Sequence, residues 1–342
     1  MERYEDVFET SEGVRLGRTV YAGGRRAGVL LIHGMAEHRG RYAALAEALA
    51  ADGALVWAYD QRGHGRSAPD AASRRHIAPG NDWRAYAADA RELLAALEQA
   101  VAPAAAPANT ATGDAAAGAA AGGRAPAGAP PLFALGHSMG SLVLREVLRD
   151  APVSLCGAVL MGTAGPGGAK ARVGHLLAAA IAAFRPAHAP SQFLNDMTFG
   201  AYNKAVAGAV TAFDWLSRDE DEVRRYIEDP DCGEVMSAHF YRELTRGIVS
   251  VSSQAALAAV SHETALLLYS GGADPVGEHG RGVEAVGEEL RRAGHPKVEV
   301  RLRDGARHEL LHETDRGEVI ADLVRWVAQR RTACQTQDDT EK

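Results

Sequence analysis

Residues 132–144, "LFALGHSMGSLVL", join an unbroken apolar run to a helical pattern through a serine set between glycines. Leu132 to Leu135 are continuously apolar, the mark of a strand buried on both faces. From Met139 onward, Leu142, Val143, Val147 and Leu148 return on one helical face. The stretch Gly136-His137-Ser138-Met139-Gly140 between them fits G-x-S-x-G. A pentapeptide this short arises by chance in roughly one chain in six of this glycine and serine content, so its position decides its worth. A strand ending at Gly136 and a helix starting right after Ser138 make a sharp elbow. Such an elbow needs small residues on both sides and lifts the serine hydroxyl out of the sheet at a helix N-terminus.

The same alternation extends in both directions. "VFETSEGVRLGRTVYAG" (7–23) alternates about a Ser-Glu-Gly turn and reads as an opening hairpin. "AGVLLIHG" (27–34) and "GALVWAYD" (53–60) are continuous apolar strands, separated by Tyr42, Leu45, Ala46 and Leu49 at helical spacing. A helix with Trp83, Tyr86, Ala90, Leu93, Leu94 and Leu97 on one face precedes the elbow. Strands "GAVLMG" and "TALLLYSGG", a helix around 280–293, strand "KVEVRL" and a final helix 317–331 follow it. In "VEVRL" apolar residues alternate with charges, which suits an edge strand. The fold class is therefore α/β, a mostly parallel central sheet with helices on both faces and an inserted helical cap. The core is expected in two parts, 1–165 and 261–333, around a cap at 166–260, with a polar tail at 334–342. Residues 102–130 are nearly all Ala, Gly and Pro and offer little to bury, so they are expected to be a disordered insert.

Bulk properties narrow the function. The chain has 342 residues, 46% hydrophobic and 24% charged, in the range of an ordinary globular protein. A net charge of −7 without a long basic run argues against nucleic acid as partner. Cys156, Cys232 and Cys334 are widely spaced and odd in number, suggesting neither a disulfide framework nor a cysteine-based metal site. The N-terminus has no signal-peptide core and no apolar stretch reaches a clean span of about 20 residues, so a cytoplasmic protein is expected. "VGHLLAAAIAAF" (173–184) is apolar nearly all round, which fits either a lid over an acyl pocket or a helix buried within the cap.

A nucleophilic Ser138 needs a base, and the base an orienting acid; with a strand-to-helix elbow of this kind, the acid and then the base follow from loops after later strands. Asp274 follows "ALLLYSGGA" directly, and His308 follows "VEVRL" and the Asp304-Gly305 turn. Asp304 is a rival acid, but beside glycine it reads as a turn former. His33, His64 and His137 precede the acid; His279 and His295 lie at a helix start and a pre-strand turn. The oxyanion formed in acyl transfer needs two donors, for which the backbone N–H groups of Met139 and Met35 are placed. A competing pattern overlaps the base: His308-Glu309-Leu310-Leu311-His312 spells H-E-x-x-H, the zinc-peptidase signature. It starts at a strand end and a turn rather than inside a helix, which disfavours a metal there.

"HGMAEHRGRY" (33–42), "DQRGHGRS" (60–67), "GHSMG" (136–140), "GGADPVG" (271–277) and "GARHELLHE" (305–313) occur together in that order. In this the chain resembles monoacylglycerol lipase and bacterial lysophospholipase-like α/β-hydrolases, grouped with the serine aminopeptidase type. "MTFGAYNKAV" and "FDWLSRDEDEVRRYIEDPDCG" in the cap resemble the bacterial members. The resemblance implies an α/β-hydrolase fold and a cytoplasmic or membrane-peripheral serine hydrolase of lipid-type carboxylic esters. It implies Ser138 as nucleophile, Asp274 as acid, His308 as base, Met35 and Met139 as oxyanion donors, and Glu37 and Arg41 as supports of the first loop. No cofactor, metal or obligate protein partner is expected, and transient membrane contact through the cap is. Two departures stand out: the Ala-Pro insert, and His312 where such proteins usually carry Asn. An aminopeptidase, short-chain carboxylesterase or thioesterase on the same triad is the alternative.

Overall fold

The computed structural model describes residues 1–68, 70, 73–74, 82–103, 129–150 and 154–340, with 337–340 by backbone alone. The 102–130 insert therefore lies, apart from its ends, outside the described residues.

The opening alternation forms an antiparallel hairpin of β1 (Glu2–Glu9) and β2 (Arg15–Ala22). The apolar runs form β3 (Gly28–Ile32), β4 (Leu55–Tyr59), β5 (Leu132–His137), β6 (Leu155–Met161) and β7 (Ala265–Gly271), and β8 (Val298–Arg303) follows. All belong to one sheet in the order β1-β2-β4-β3-β5-β6-β7-β8, parallel from β4 through β8. β3, β5, β6 and β7 are buried along their whole length, which is why their sequences do not alternate. Their side chains nonetheless point to opposite faces in turn. Leu30 and Ile32 pack with Leu93, Leu97 and Leu142; Val29 and Leu31 pack with Leu45, Leu49 and Trp326. β8 is half-exposed at the sheet edge, as its alternation predicts.

The helices covering the sheet start with α1 (Ala43–Ala51), after a 3-10 turn at Arg39–Tyr42, then α2 (Trp83–Val101) and α3 (Met139–Asp150). Asp82 caps α2 by accepting from the Arg84 N–H at 2.8 Å. Between β6 and β7 come α4 (Gly168–Ala182), α5 (Gln192–Lys204), α6 (Glu220–Glu228), α7 (Ala238–Val251) and α8 (Gln254–Ala258). α7 packs on α2 and α3, and α4 lies along α7. α9 (Arg281–Arg292) and α10 (Arg316–Thr340) complete the chain. Among the described residues no helix is long and apolar enough to cross a membrane.

Three expectations are corrected. First, α10 runs through Thr340, beyond the helix end expected near 331 and into the segment read as a tail. Second, Cys156 and Cys334 form a disulfide, their Cα atoms 6.2 Å apart, and Cys232 alone is free. The partners stand 178 residues apart, so no local spacing reveals them; they meet because α10 lies along β6. Third, α4 is neither a roof over the cavity nor a buried helix. It buries Ala178 and Ala182 and leaves Leu176 68% exposed, with Phe184 just beyond it 89% exposed.

Candidate active site

The elbow after β5 has the geometry its glycines require. Ser138 has φ of 50°, a left-handed backbone that costs a non-glycine residue about 1–3 kcal/mol. The turn is held by the Ser138 N–H donating to the Met161 carbonyl at 2.9 Å and by the Ser141 hydroxyl donating to the Ser138 carbonyl at 2.6 Å. A Cβ on Gly136 would collide with the Gly140 carbonyl, and one on Gly140 with the carbonyls of Ile32 and His33. Both positions therefore exclude any larger residue.

Asp274 lies just past β7 and is fully buried. Its Oδ1 accepts from the Val276 N–H at 2.9 Å, and its Oδ2 from the Ser270 hydroxyl at 3.0 Å. The same Oδ2 lies 3.0 Å from Nδ1 of His308, which is also buried. A carboxylate held by these donors favours the imidazole tautomer with its proton on Nδ1, which leaves Nε2 unprotonated. Asp304, the rival acid, is exposed on its turn. The His308 loop is anchored by the Glu309 N–H donating to the Leu216 carbonyl at 2.8 Å, and Trp215 packs against the imidazole with ring centres 5.1 Å apart.

Ser138 and His308 line one cavity of about 770 Å³, together with Met35 and Met139. Among the described residues the Met35 and Met139 N–H groups donate to no protein acceptor, and the Ser138 hydroxyl donates to none either. The roof is α5 and the loop after it, with Phe199, Tyr202, Val206 and Phe213; Leu142, Leu244 and Ile248 close the side. The volume falls within the range of small-molecule sites. The apolar content of α4 drew attention to the wrong helix, whereas α5 is too mixed in composition to stand out in the sequence.

The loop carrying Met35 rests on buried charges. Glu37 Oε1 accepts from the Gly34 N–H at 2.5 Å, the Tyr42 hydroxyl at 2.9 Å and His137 Nδ1 at 3.1 Å. Arg41 lies between Glu37, at 3.2 Å, and Glu309, at 2.5 Å, with its guanidinium 4.9 Å from the Tyr226 ring centre. Burial alone would raise the Glu37 carboxyl, but His137 and Arg41 together hold it well below the ordinary range. Burial opposes charge on His137, yet the Glu37 carboxylate outweighs it and raises its pKa. Both its nitrogens face acceptors, Nε2 lying 3.3 Å from the His308 carbonyl, as suits an imidazolium. Burial raises Glu309 despite the neighbouring Arg41. The cap clamps the loop from above: the Tyr226 hydroxyl and the Gly233 N–H each donate to the Ala36 carbonyl at 2.9 Å. Both lie in the cap stretch 213–233 that carries the resemblance, but nothing in the sequence assigned either residue this role.

The second half of H-E-x-x-H turns elsewhere. Leu310–His312 is a 3-10 turn, not a continuing helix. His312 Nε2 lies 3.1 Å from the Arg41 carbonyl, and Glu309 is committed to Arg41. Burial holds the His312 imidazole well below its ordinary pKa. Among the described residues, no cluster of potential metal-binding side chains includes His308 or His312.

The sheet order, the elbow and the cap inserted after β6 define the α/β-hydrolase fold. The model of the family described as serine aminopeptidase, S33, matches residues 23–315, and the chain belongs to that family. It is 26% identical over 331 residues to a monoacylglycerol lipase of Mycolicibacterium smegmatis, covering 95% of this chain and 97% of that one. A solved structure described as a lipase in its open form superposes with a TM-score of 0.74 at 27% identity, over 96% of this chain and 99% of the other. A thermostable carboxyl esterase from Bacillus coagulans, solved with glycerol, gives a TM-score of 0.81 at 22% identity over 97% and 99% of the two chains, a likeness of fold.

Proposed function

We propose that the protein is a serine hydrolase of lipid-type carboxylic esters, monoacylglycerols or lysophospholipids, working through an acyl-enzyme. The observation that supports this best is the buried Asp274–His308 pair at 3.0 Å opening with Ser138 onto one cavity that Phe199, Leu244 and Ile248 also line. In this mechanism Ser138 Oγ attacks the ester carbonyl while His308 Nε2 takes its proton. The Met35 and Met139 N–H groups stabilise the oxyanion; one such donor is worth roughly 10²–10³ in kcat. His308 then protonates the departing alcohol, and water, activated by the same ring, releases the acid. Asp274 keeps the imidazole in the reactive tautomer and offsets its transient charge. Similarity over nearly the full chain to a monoacylglycerol lipase adds to this reading.

The exposed apolar side chains of the cap, Val173, Leu176, Phe184, Phe193, Met197 and Val210, suit transient contact with a lipid surface, which liposome co-sedimentation would detect. Cytoplasmic residence is the expectation from the lack of a signal-peptide core and of a spanning stretch in the sequence, whereas a disulfide persists mainly in oxidising compartments. A thiol count on protein taken directly from cells distinguishes the two.

The family description keeps an aminopeptidase as the second reading. Purified protein should be assayed against monoacylglycerols, lysophospholipids, short-chain p-nitrophenyl esters and aminoacyl amides. Preference for the first two is expected; preference for the amides would overturn the lipid-ester assignment while leaving the triad in place.

A further inference from the structure

Where the cap meets the loop that carries Met35, three different metal-binding side chains converge. His38 Nε2 lies 2.9 Å from Asp229 Oδ2, and one donor atom from each of His38, Asp229 and Cys232 falls within 4.8 Å of the other two. The turn that presents two of them is built in advance. The Cys232 N–H donates to the Asp229 carbonyl at 3.0 Å and the Asp231 N–H to Asp229 Oδ1 at 2.9 Å. Gly233 then ties the same turn to the Ala36 carbonyl. His38 and Asp229 are 21% and 31% exposed, which leaves an approach from solvent, and Cys232 is the free thiol at the inner end.

We propose that His38, Asp229 and Cys232 form a binding site for a zinc-class divalent ion that links the cap to the oxyanion loop. Zinc takes nitrogen, oxygen and thiolate ligands at about 2.0–2.3 Å, which sets its ligand atoms about 3.3–3.7 Å apart. The His38–Asp229 pair must open slightly and the remaining distances contract by no more than about 1.5 Å, within reach of side-chain rotation. One imidazole, one carboxylate and one thiolate select zinc, cobalt or nickel over magnesium and calcium, and their two negative charges neutralise the ion. A fourth position stays open to water.

Cys232 releases its proton to solvent and binds as thiolate. His38 moves its proton from Nε2 to Nδ1, so the Gly40 N–H, now donating to Nδ1 at 3.1 Å, turns to water, which reaches the exposed Gly40. A bound ion would hold the 229–233 turn against the 34–38 loop, adding to the two hydrogen bonds on the Ala36 carbonyl. The site is separate from Ser138, Asp274 and His308, so its failure would leave the proposed chemistry untouched.

The test is a Co²⁺ titration of the metal-stripped full chain without thiol reductant. Wild type should develop a thiolate-to-cobalt charge-transfer band that saturates at one ion per chain and is displaced by Zn²⁺. Cys232→Ser should abolish the band and weaken Co²⁺ binding by about 100-fold, and His38→Gln should weaken it by about tenfold. His312→Asn should bind as wild type, separating this site from the H-E-x-x-H stretch. Circular dichroism melts verify that each variant is folded. Absence of the band in wild type, its persistence in Cys232→Ser, or unchanged affinity in His38→Gln would each overturn the proposal.

Discussion

Replacing Cys334 with serine, or reducing the native protein, should lower its melting temperature and leave ester hydrolysis at room temperature unchanged. The disulfide closes a segment of 178 residues, and the chain-entropy relation for a loop of that length gives about 5 kcal/mol of stabilisation. Unfolding entropy of about 2.1 cal/mol/K per residue amounts to about 0.7 kcal/mol/K for this chain, so the bond is worth about 7 °C in Tm. The native state should survive the cut, because Val319, Leu323 and Trp326 keep α10 buried on the sheet without it. Activity should survive because Cys156 sits near the start of β6, while the cavity opens beyond Met161 at its other end. Differential scanning calorimetry with and without a phosphine reductant measures the shift, and Cys232→Ser, which keeps the Cys156–Cys334 bond, should show the same reductant-dependent shift. Under denaturing, non-reducing conditions one thiol per chain should react. Three reactive thiols, or a shift below about 1 °C, would refute the account of how α10 is fastened.

Asp274→Asn should fold normally and lose on the order of 10⁴ in kcat, since an amide favours the wrong His308 tautomer; steady-state kinetics on a p-nitrophenyl ester read this out. His312→Asn should leave kcat within about twofold, because a neutral amide can still donate to the Arg41 carbonyl. Glu37→Gln removes the carboxylate that faces both His137 and Arg41, and the stranded charges should cost about 3–5 kcal/mol in a urea denaturation. The pair also makes stability pH-dependent. Glu37, held low, stabilises above the ordinary carboxylate range and loses that contribution as pH falls through its depressed value. His137, held high, stabilises fully below its ordinary value of 6.5 and loses that contribution as pH rises through its raised one. Wild-type Tm should therefore decline above pH 6.5 more steeply than that of His137→Asn, and equal slopes would contradict the charged state assigned to His137.

The parts legible in the sequence are those whose physics is local. Strands buried on both faces are unbroken apolar runs, so β3, β5, β6 and β7 announce themselves, and β8 alternates because it is half-exposed at an edge. The elbow reads clearly because backbone crowding at Gly136 and Gly140 admits nothing larger. Candidate acid and base could be named from strand ends alone, and the structure brings Asp274 and His308 together there. What escaped depends on contacts between distant segments. The Cys156–Cys334 bond, the Tyr226 hydroxyl on the Ala36 carbonyl and the meeting of His38 with Asp229 span 178, 190 and 191 residues, and each is set by tertiary packing. α4 misled for a different reason. Its apolar residues are partly on the outside, where burial does not account for them.

The proposed ester hydrolysis requires Ser138 to be the activated nucleophile, and covalent labelling tests that most directly. Native protein should be treated with a fluorophosphonate, digested and mapped by mass spectrometry. One phosphonate per chain is expected on Ser138, with no labelling in Ser138→Ala and strongly slowed labelling in His308→Ala. Label on another residue, or undiminished labelling of Ser138→Ala, would contradict it.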